Sequence, residues 1–110
     1  MQRRTAPLTD PFDALGDPTR RRILQILGSE PQSVAVLADQ LPISRPAVSR
    51  HLRVLKEAGF VEEVPEGTRR VYHVRENGLE AIRAYLEQVW GDAAARLRLV
   101  AENTAPVDRG

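Results

Sequence analysis

The sequence predicts a mainly α-helical domain with one small β-hairpin, in the order helix, helix, helix, helix, strand, strand, helix. Three observations lead there. Capped segments of helical periodicity follow one another closely up to Gly59, the pattern turns strand-like between Phe60 and Val74, and a long helical stripe starts from about Asn77. The 110 residues suffice for one domain with a modest core. Aromatic residues are only 5% of a chain that is 42% hydrophobic, so aliphatic side chains must build that core.

Met1–Thr9 and Thr104–Gly110 are polar, proline-bearing and unpatterned, and are expected to be flexible tails around a domain over residues 10–103. A short helix is expected over Pro11–Leu15, ending near Gly16. Asp17-Pro18 reads as an N-cap and a first helical position, where the missing proline N–H costs no bond. The helix so opened should run to about Leu27, with Ile23, Leu24 and Leu27 inward and Gly28 just past its end. Ser33 should start a third helix, roughly Val34–Gln40, with Val34, Leu37 and Leu41 inward. Leu41-Pro42-Ile43 is a tight turn. Ser44 caps a fourth helix over Arg45–Ala58, with Pro46 in its first turn and Gly59 as the stop. Phe60–Val64 and Arg70–Val74 are β-prone runs joined by the turn cluster Pro65-Glu66-Gly67-Thr68. In the last helix Leu79, Ile82, Leu86, Val89, Ala93, Leu97 and Val100 recur at threes and fours, and Gly91-Asp92 leaves open whether it is interrupted.

Several functions are excluded by what is missing. Without cysteine there is no disulfide framework and no thiolate metal or redox centre. His51 and His73 have no partner cluster, so neither a metal nor another cofactor is expected. No stretch approaches the roughly 18 apolar residues of a membrane span, and the first ten residues hold no signal-peptide core. A soluble cytoplasmic protein with no membrane partner is the expectation. No glycine-rich phosphate loop or nucleophile triad can be assembled, and Glu62-Glu63 lie side by side on a strand, facing opposite ways. No catalytic residue is expected.

The net charge of +1 says little, but its distribution says more. Residues 44–75 hold seven basic against four acidic side chains, a net of +3, while residues 1–43 balance to 0 and residues 76–110 come to −2. The basic third coincides with the fourth helix and the hairpin, the part best suited to a polyanion.

A helix, a tight turn and a second capped helix followed at once by a hairpin is the winged helix-turn-helix plan. On the fourth helix Val48, Leu52 and Leu55 fall on one face at i, i+4 and i+7. The opposite face presents Arg45, Ser49, Arg53 and Lys56, flanked by Pro46 and Arg50, with no acid before Glu57. Such a face suits the major groove of double-stranded DNA, because Arg can pair with guanine, Ser can reach bases or phosphate, and Lys neutralises phosphate. Ser44 leaves helix N–H groups that could take a phosphate. Thr68, Arg69 and Arg70 stand at the hairpin turn, where a wing would meet the neighbouring backbone or minor groove. For the helix alone, a merely solvated face is the simpler reading; helix and wing together favour DNA. His51 sits beside Leu52, which leaves a phosphate or base contact and none equally open, and His73 reads as a surface residue of the wing.

Three stretches resemble one known family. Ala14–Leu24 (ALGDPTRRRIL), Ile43–Gly59 (ISRPAVSRHLRVLKEAG) and Glu66–Tyr72 (EGTRRVY) are similar to the opening motif, the recognition helix and the wing of the arsenic-repressor (ArsR) family of bacterial regulators. The likeness runs from about Phe12 to Trp90. It implies a repressor that binds an inverted-repeat operator, often that of its own gene, as a homodimer through its first and last helices. Phe12 and Leu15 would then meet Leu79, Ile82, Leu86, Val89, Trp90 and Leu97 at the interface. Metal-sensing members carry paired cysteines where this chain has Val34 and Val36, and residues 77–102 hold no histidine, so metal sensing does not carry over.

The last stripe also argues for a dimer by itself, since it would expose more apolar surface than a monomer normally tolerates. Folding back wholly onto its own domain is the alternative. Two further readings stay open: a winged helix that docks a partner protein without DNA, and a small-molecule effector held near Tyr85 and Trp90, where simple packing is the plainer role.

Overall fold

Asp10 and Asp17 open the first two helices by the same device, a carboxylate capping the amides of a proline-led first turn. Asp10 Oδ1 accepts from the Phe12 N–H at 2.8 Å and starts α1 (Pro11–Leu15). Asp17 Oδ1 accepts from the N–H groups of Thr19 at 2.8 Å and Arg20 at 3.1 Å and starts α2 (Pro18–Ser29). These elements belong to a computed structural model that describes residues 9–104. Of the tails expected at either end, all but Thr9 and Thr104 lie outside the described residues.

Helix α2 corrects two expectations. It continues through Gly28 and stops at Glu30, whose backbone is extended at φ −165°, ψ 132°. The next residue is Pro31, and a residue before proline is pushed out of the helical region. Its buried residues are Ile23, Ile26 and Leu27, while Leu24 is only half-buried. The true stripe follows i, i+3, i+4, which puts position 24 at its margin.

A strand that the sequence did not announce comes next: β1 (Gln32–Ser33). Ser33 then caps α3 (Val34–Asp39), its Oγ accepting from the Val36 N–H at 3.4 Å. Leu37 is buried there, whereas Val34 and Leu41 are half-buried. Helix α4 (Arg45–Glu57) is capped by Ser44, whose Oγ accepts from the Ala47 N–H at 3.3 Å. It gives way at Ala58 to Gly59, whose φ of +87° favours a residue without Cβ.

Strands β2 (Val61–Glu66) and β3 (Arg69–Val74) are antiparallel, and the sheet order is β1-β3-β2. The expected lone hairpin is therefore a three-stranded sheet, with Gln32 opposite Tyr72 and Ser33 opposite Val71. The expected four-residue turn shrinks to Gly67-Thr68, because Pro65 and Glu66 stay in register opposite Arg70 and Arg69. Proline is tolerated since β2 is an edge strand. Gly67 has φ +63° and no other residue of the turn has positive φ, the pattern of a type II′ turn with glycine first.

Of the described residues, 9–79 form one compact unit and 80–104 another. The first is built around Ala14, Ile23, Leu37, Val48, Leu52 and Leu55, each 0% exposed, closed over by Val61 and Val71 from the sheet. The second is α5 (Glu80–Thr104), which starts later than Asn77 and takes in Thr104. Gly91 does not interrupt it. One glycine costs a helix only about 1 kcal/mol against alanine, and 25 residues of mostly good helix formers carry it.

Candidate nucleic-acid interface

The amphipathic pattern of α4 decides what that helix presents. With Val48, Leu52 and Leu55 fully buried, Ser44, Arg45, Pro46, Ser49, Arg50, Arg53 and Lys56 are all exposed. Thr68, Arg69 and Arg70, at the tip of the β2–β3 hairpin, are exposed as well. Among the described residues, Arg45, Arg50, Arg53 and Arg69 have no ion-pair partner, so their charge is available to an external anion.

Lys56 and Arg70 are different. Both are bound to Glu63 of β2: Lys56 Nζ donates to Oε1 at 3.0 Å and Arg70 Nη1 donates to Oε2 at 2.8 Å. The Lys56 ammonium, and then the Arg70 guanidinium, hold the Glu63 carboxyl below the usual carboxylate range. Tyr72 stands opposite Glu63 in the ladder, and burial, aided by the Glu63 charge, raises its hydroxyl pKa. The sequence reading missed Glu63 because it placed the turn two residues too early, which hides the register that sets Glu63 against Tyr72 and beside Arg70.

His51 turns away from the row of exposed cations. It is half-buried, and its Nδ1 lies 3.3 Å from Arg20 Nη1. A guanidinium only donates, so Nδ1 is the acceptor in this pair. The same Arg20 donates from Nε to the Ala14 carbonyl at 2.9 Å and from Nη2 to the Asp13 carbonyl at 3.4 Å, and its Nη1 lies 3.9 Å from Asp17 Oδ2. One side chain thus ties the end of α1 and the cap of α2 to the middle of α4. Amide bonds at the cap, above all from Arg20, hold the Asp17 carboxyl below its ordinary range. His73 departs from the surface position expected of it: it is half-buried, with Nε2 shielded and unpartnered among the described residues. In the ladder it stands opposite Glu62 of β2, next to the residues Val71 and Tyr72 that pair with β1.

The apolar positions assigned to an interface fall in both units. In the first, Phe12 and Leu79 are exposed and Leu15 is half-buried. In α5, Ile82 is half-buried while Leu86, Val89, Trp90 and Leu97 are exposed, Leu97 by 70%. Among the described residues, no group of three or more His, Cys, Asp or Glu could hold a metal ion, and no helix is long and apolar enough to cross a membrane.

Residues 15–64 match the model of a helix-turn-helix domain. Over 79 residues the chain is 51% identical to the HTH-type transcriptional regulator Rv2034 of Mycobacterium tuberculosis, covering 72% of this chain and 74% of that one. It is 38% identical over 56 residues to the transcriptional repressor SdpR of Bacillus subtilis, covering 51% and 62% respectively. Among solved structures, the ArsR-like transcriptional regulator from Rhodococcus sp. RHA1 superposes with a TM-score of 0.73 at 35% identity, covering 84% of this chain and 88% of that one.

Proposed function

The chain belongs to the ArsR family of winged helix-turn-helix transcriptional regulators, and on that footing we propose that it represses transcription by binding an inverted-repeat operator as a homodimer in the cytoplasm, its own gene among the targets. One observation carries the reading: α4 buries Val48, Leu52 and Leu55 completely and thereby turns Arg45, Ser49, Arg50 and Arg53 outward as exposed donors, unpaired among the described residues. In this reading Arg50 and Arg53 address guanine edges in the major groove. Arg45, with the hydroxyls of Ser44 and Ser49, seats the helix on phosphates, and Thr68 and Arg69 hold the neighbouring backbone from the wing.

Dimerisation is supported by the apolar residues that α5 leaves exposed, Leu86, Val89, Trp90 and Leu97. A two-fold pair would set two copies of α4 about 34 Å apart, one turn of duplex. Val34 and Val36 offer no metal ligand on α3, so this repression does not pass through a metal at that helix.

Selection of genomic fragments by the purified protein tests the proposal. The expected result is enrichment of a near-palindrome whose half-sites lie about 10 base pairs apart, centre to centre, upstream of the protein's own gene among others. Recovered fragments with no shared sequence would overturn it.

A further inference from the structure

Glu63 lies where the two surfaces assigned to DNA meet. Its partners come from opposite sides: Lys56 from the last turn of α4, and Arg70 from the β3 arm of the hairpin. The side chains differ sharply in exposure, 17% for Glu63 against 51% for Lys56 and 66% for Arg70. The anion is shielded and the cations stay open to solvent. The neighbouring Glu62, on the opposite face of the strand, is exposed and has no ion pair among the described residues.

We propose that Glu63 is an internal stand-in for a DNA phosphate, which gathers Lys56 and Arg70 into one notch between helix and wing and cancels half their charge toward any duplex not seated in register. The inference rests on the DNA-binding reading above. Its logic is competition between acceptors. A phosphate oxygen is an acceptor of the same kind as a carboxylate oxygen, and Lys56 and Arg70 each use only one of their several N–H groups on Glu63. On the operator, helix and wing are both docked, a phosphate is delivered to the mouth of the notch, and it takes the spare donors without expelling Glu63. A random duplex is held only by long-range charge, so it feels the notch as a single net cation rather than two. The carboxylate repels phosphate in both modes, but on the operator it also holds Lys56 and Arg70 in place for the phosphate that enters, which offsets the repulsion there. Glu63 therefore depresses non-specific binding more than operator binding, and it raises the ratio between them.

The test is a salt-series titration of the full chain against two duplexes of equal length, one carrying the sequence recovered by fragment selection and one random. For Glu63→Gln the random duplex should bind about 3- to 10-fold tighter at ~50 mM salt, with a log–log salt slope steeper by about 0.9, the value of one extra phosphate neutralised. Operator affinity should stay within about twofold. Glu62→Gln, which makes the same change in net charge outside the notch, should match the wild type on both. If glutamine disturbs the hairpin, Glu63→Ser removes the same charge with a smaller side chain and carries the same expectations. No gain on the random duplex, an equal gain on both, or a gain matched by Glu62→Gln would each overturn the proposal while leaving the DNA reading intact. A wild-type protein that binds neither duplex would overturn both.

Discussion

Arg20 makes more connections than any other charged residue described, and none of them reaches outward. Its guanidinium bonds the Ala14 carbonyl at the end of α1, shares the Asp13 carbonyl with the Gly16 N–H, and fixes the His51 ring on α4. Losing it takes a donor away from the part-buried Ala14 carbonyl and from the His51 ring. Arg20→Ala should therefore cost about 1–3 kcal/mol in urea denaturation, and Arg20→Lys should recover little, because an ammonium cannot reproduce the planar fork. Asp17 gives a prediction in pH. Folding favours its ionised form, since its carboxyl is held below the ordinary range. That stabilisation is fully present above the ordinary carboxylate pKa and is lost as pH falls through the lowered one. Asp17→Asn keeps a good cap and removes the charge. It should be less stable than wild type at neutral pH and indistinguishable from it at the acid end of a denaturation series. The caps Asp17, Ser33 and Ser44 were readable in advance, because capping is decided within three residues. Arg20 and Glu63 were not, because their partners lie 31 and 7 positions away and come within reach only through the packing.

At the scale of the element, α4 was the most legible part of the chain. Its burial follows a 3.6-residue period, so the inward set Val48, Leu52 and Leu55 and the outward cations could be listed from the sequence, with His51 at the margin left undecided. Leu52 is fully buried at the centre of that pattern, and Leu52→Ala should cost about 2–5 kcal/mol, with the midpoint of urea unfolding as the readout. The sheet was less legible for two physical reasons. A strand of two residues such as β1 is too short to show any period, and its existence depends wholly on the partner β3. The turn was misplaced because Pro65 is normally a strand breaker, whereas an edge strand accepts it. In α5 the local weakness of Gly91 was visible, but the outcome depended on the whole 25-residue helix.

Across the whole molecule, charge and apolarity are segregated along the chain. The +3 segment, residues 44–75, contains α4 and the wing, and the most exposed apolar side chains belong to α5. The division of labour we propose, one part for the polyanion and one for a second copy, follows this segregation, which is visible in the composition. A charge placed in the α5 stripe separates the two roles. Leu97→Glu should shift the protein from dimer to monomer in analytical ultracentrifugation at micromolar concentration, and operator affinity should fall with it, since half the phosphate contacts are lost. A dimer unaffected by Leu86→Glu and Leu97→Glu would place the interface elsewhere.

The central claim is that the outward face of α4 reads duplex DNA. Titration of the selected operator with wild type, Arg50→Ala and Arg53→Ala over a salt series tests it most directly. Affinity should fall steeply and linearly on logarithmic axes as salt rises, and each arginine variant should lose about 1–3 kcal/mol on the operator with relaxed sequence preference. Binding that is flat in salt and indifferent to both substitutions would contradict it.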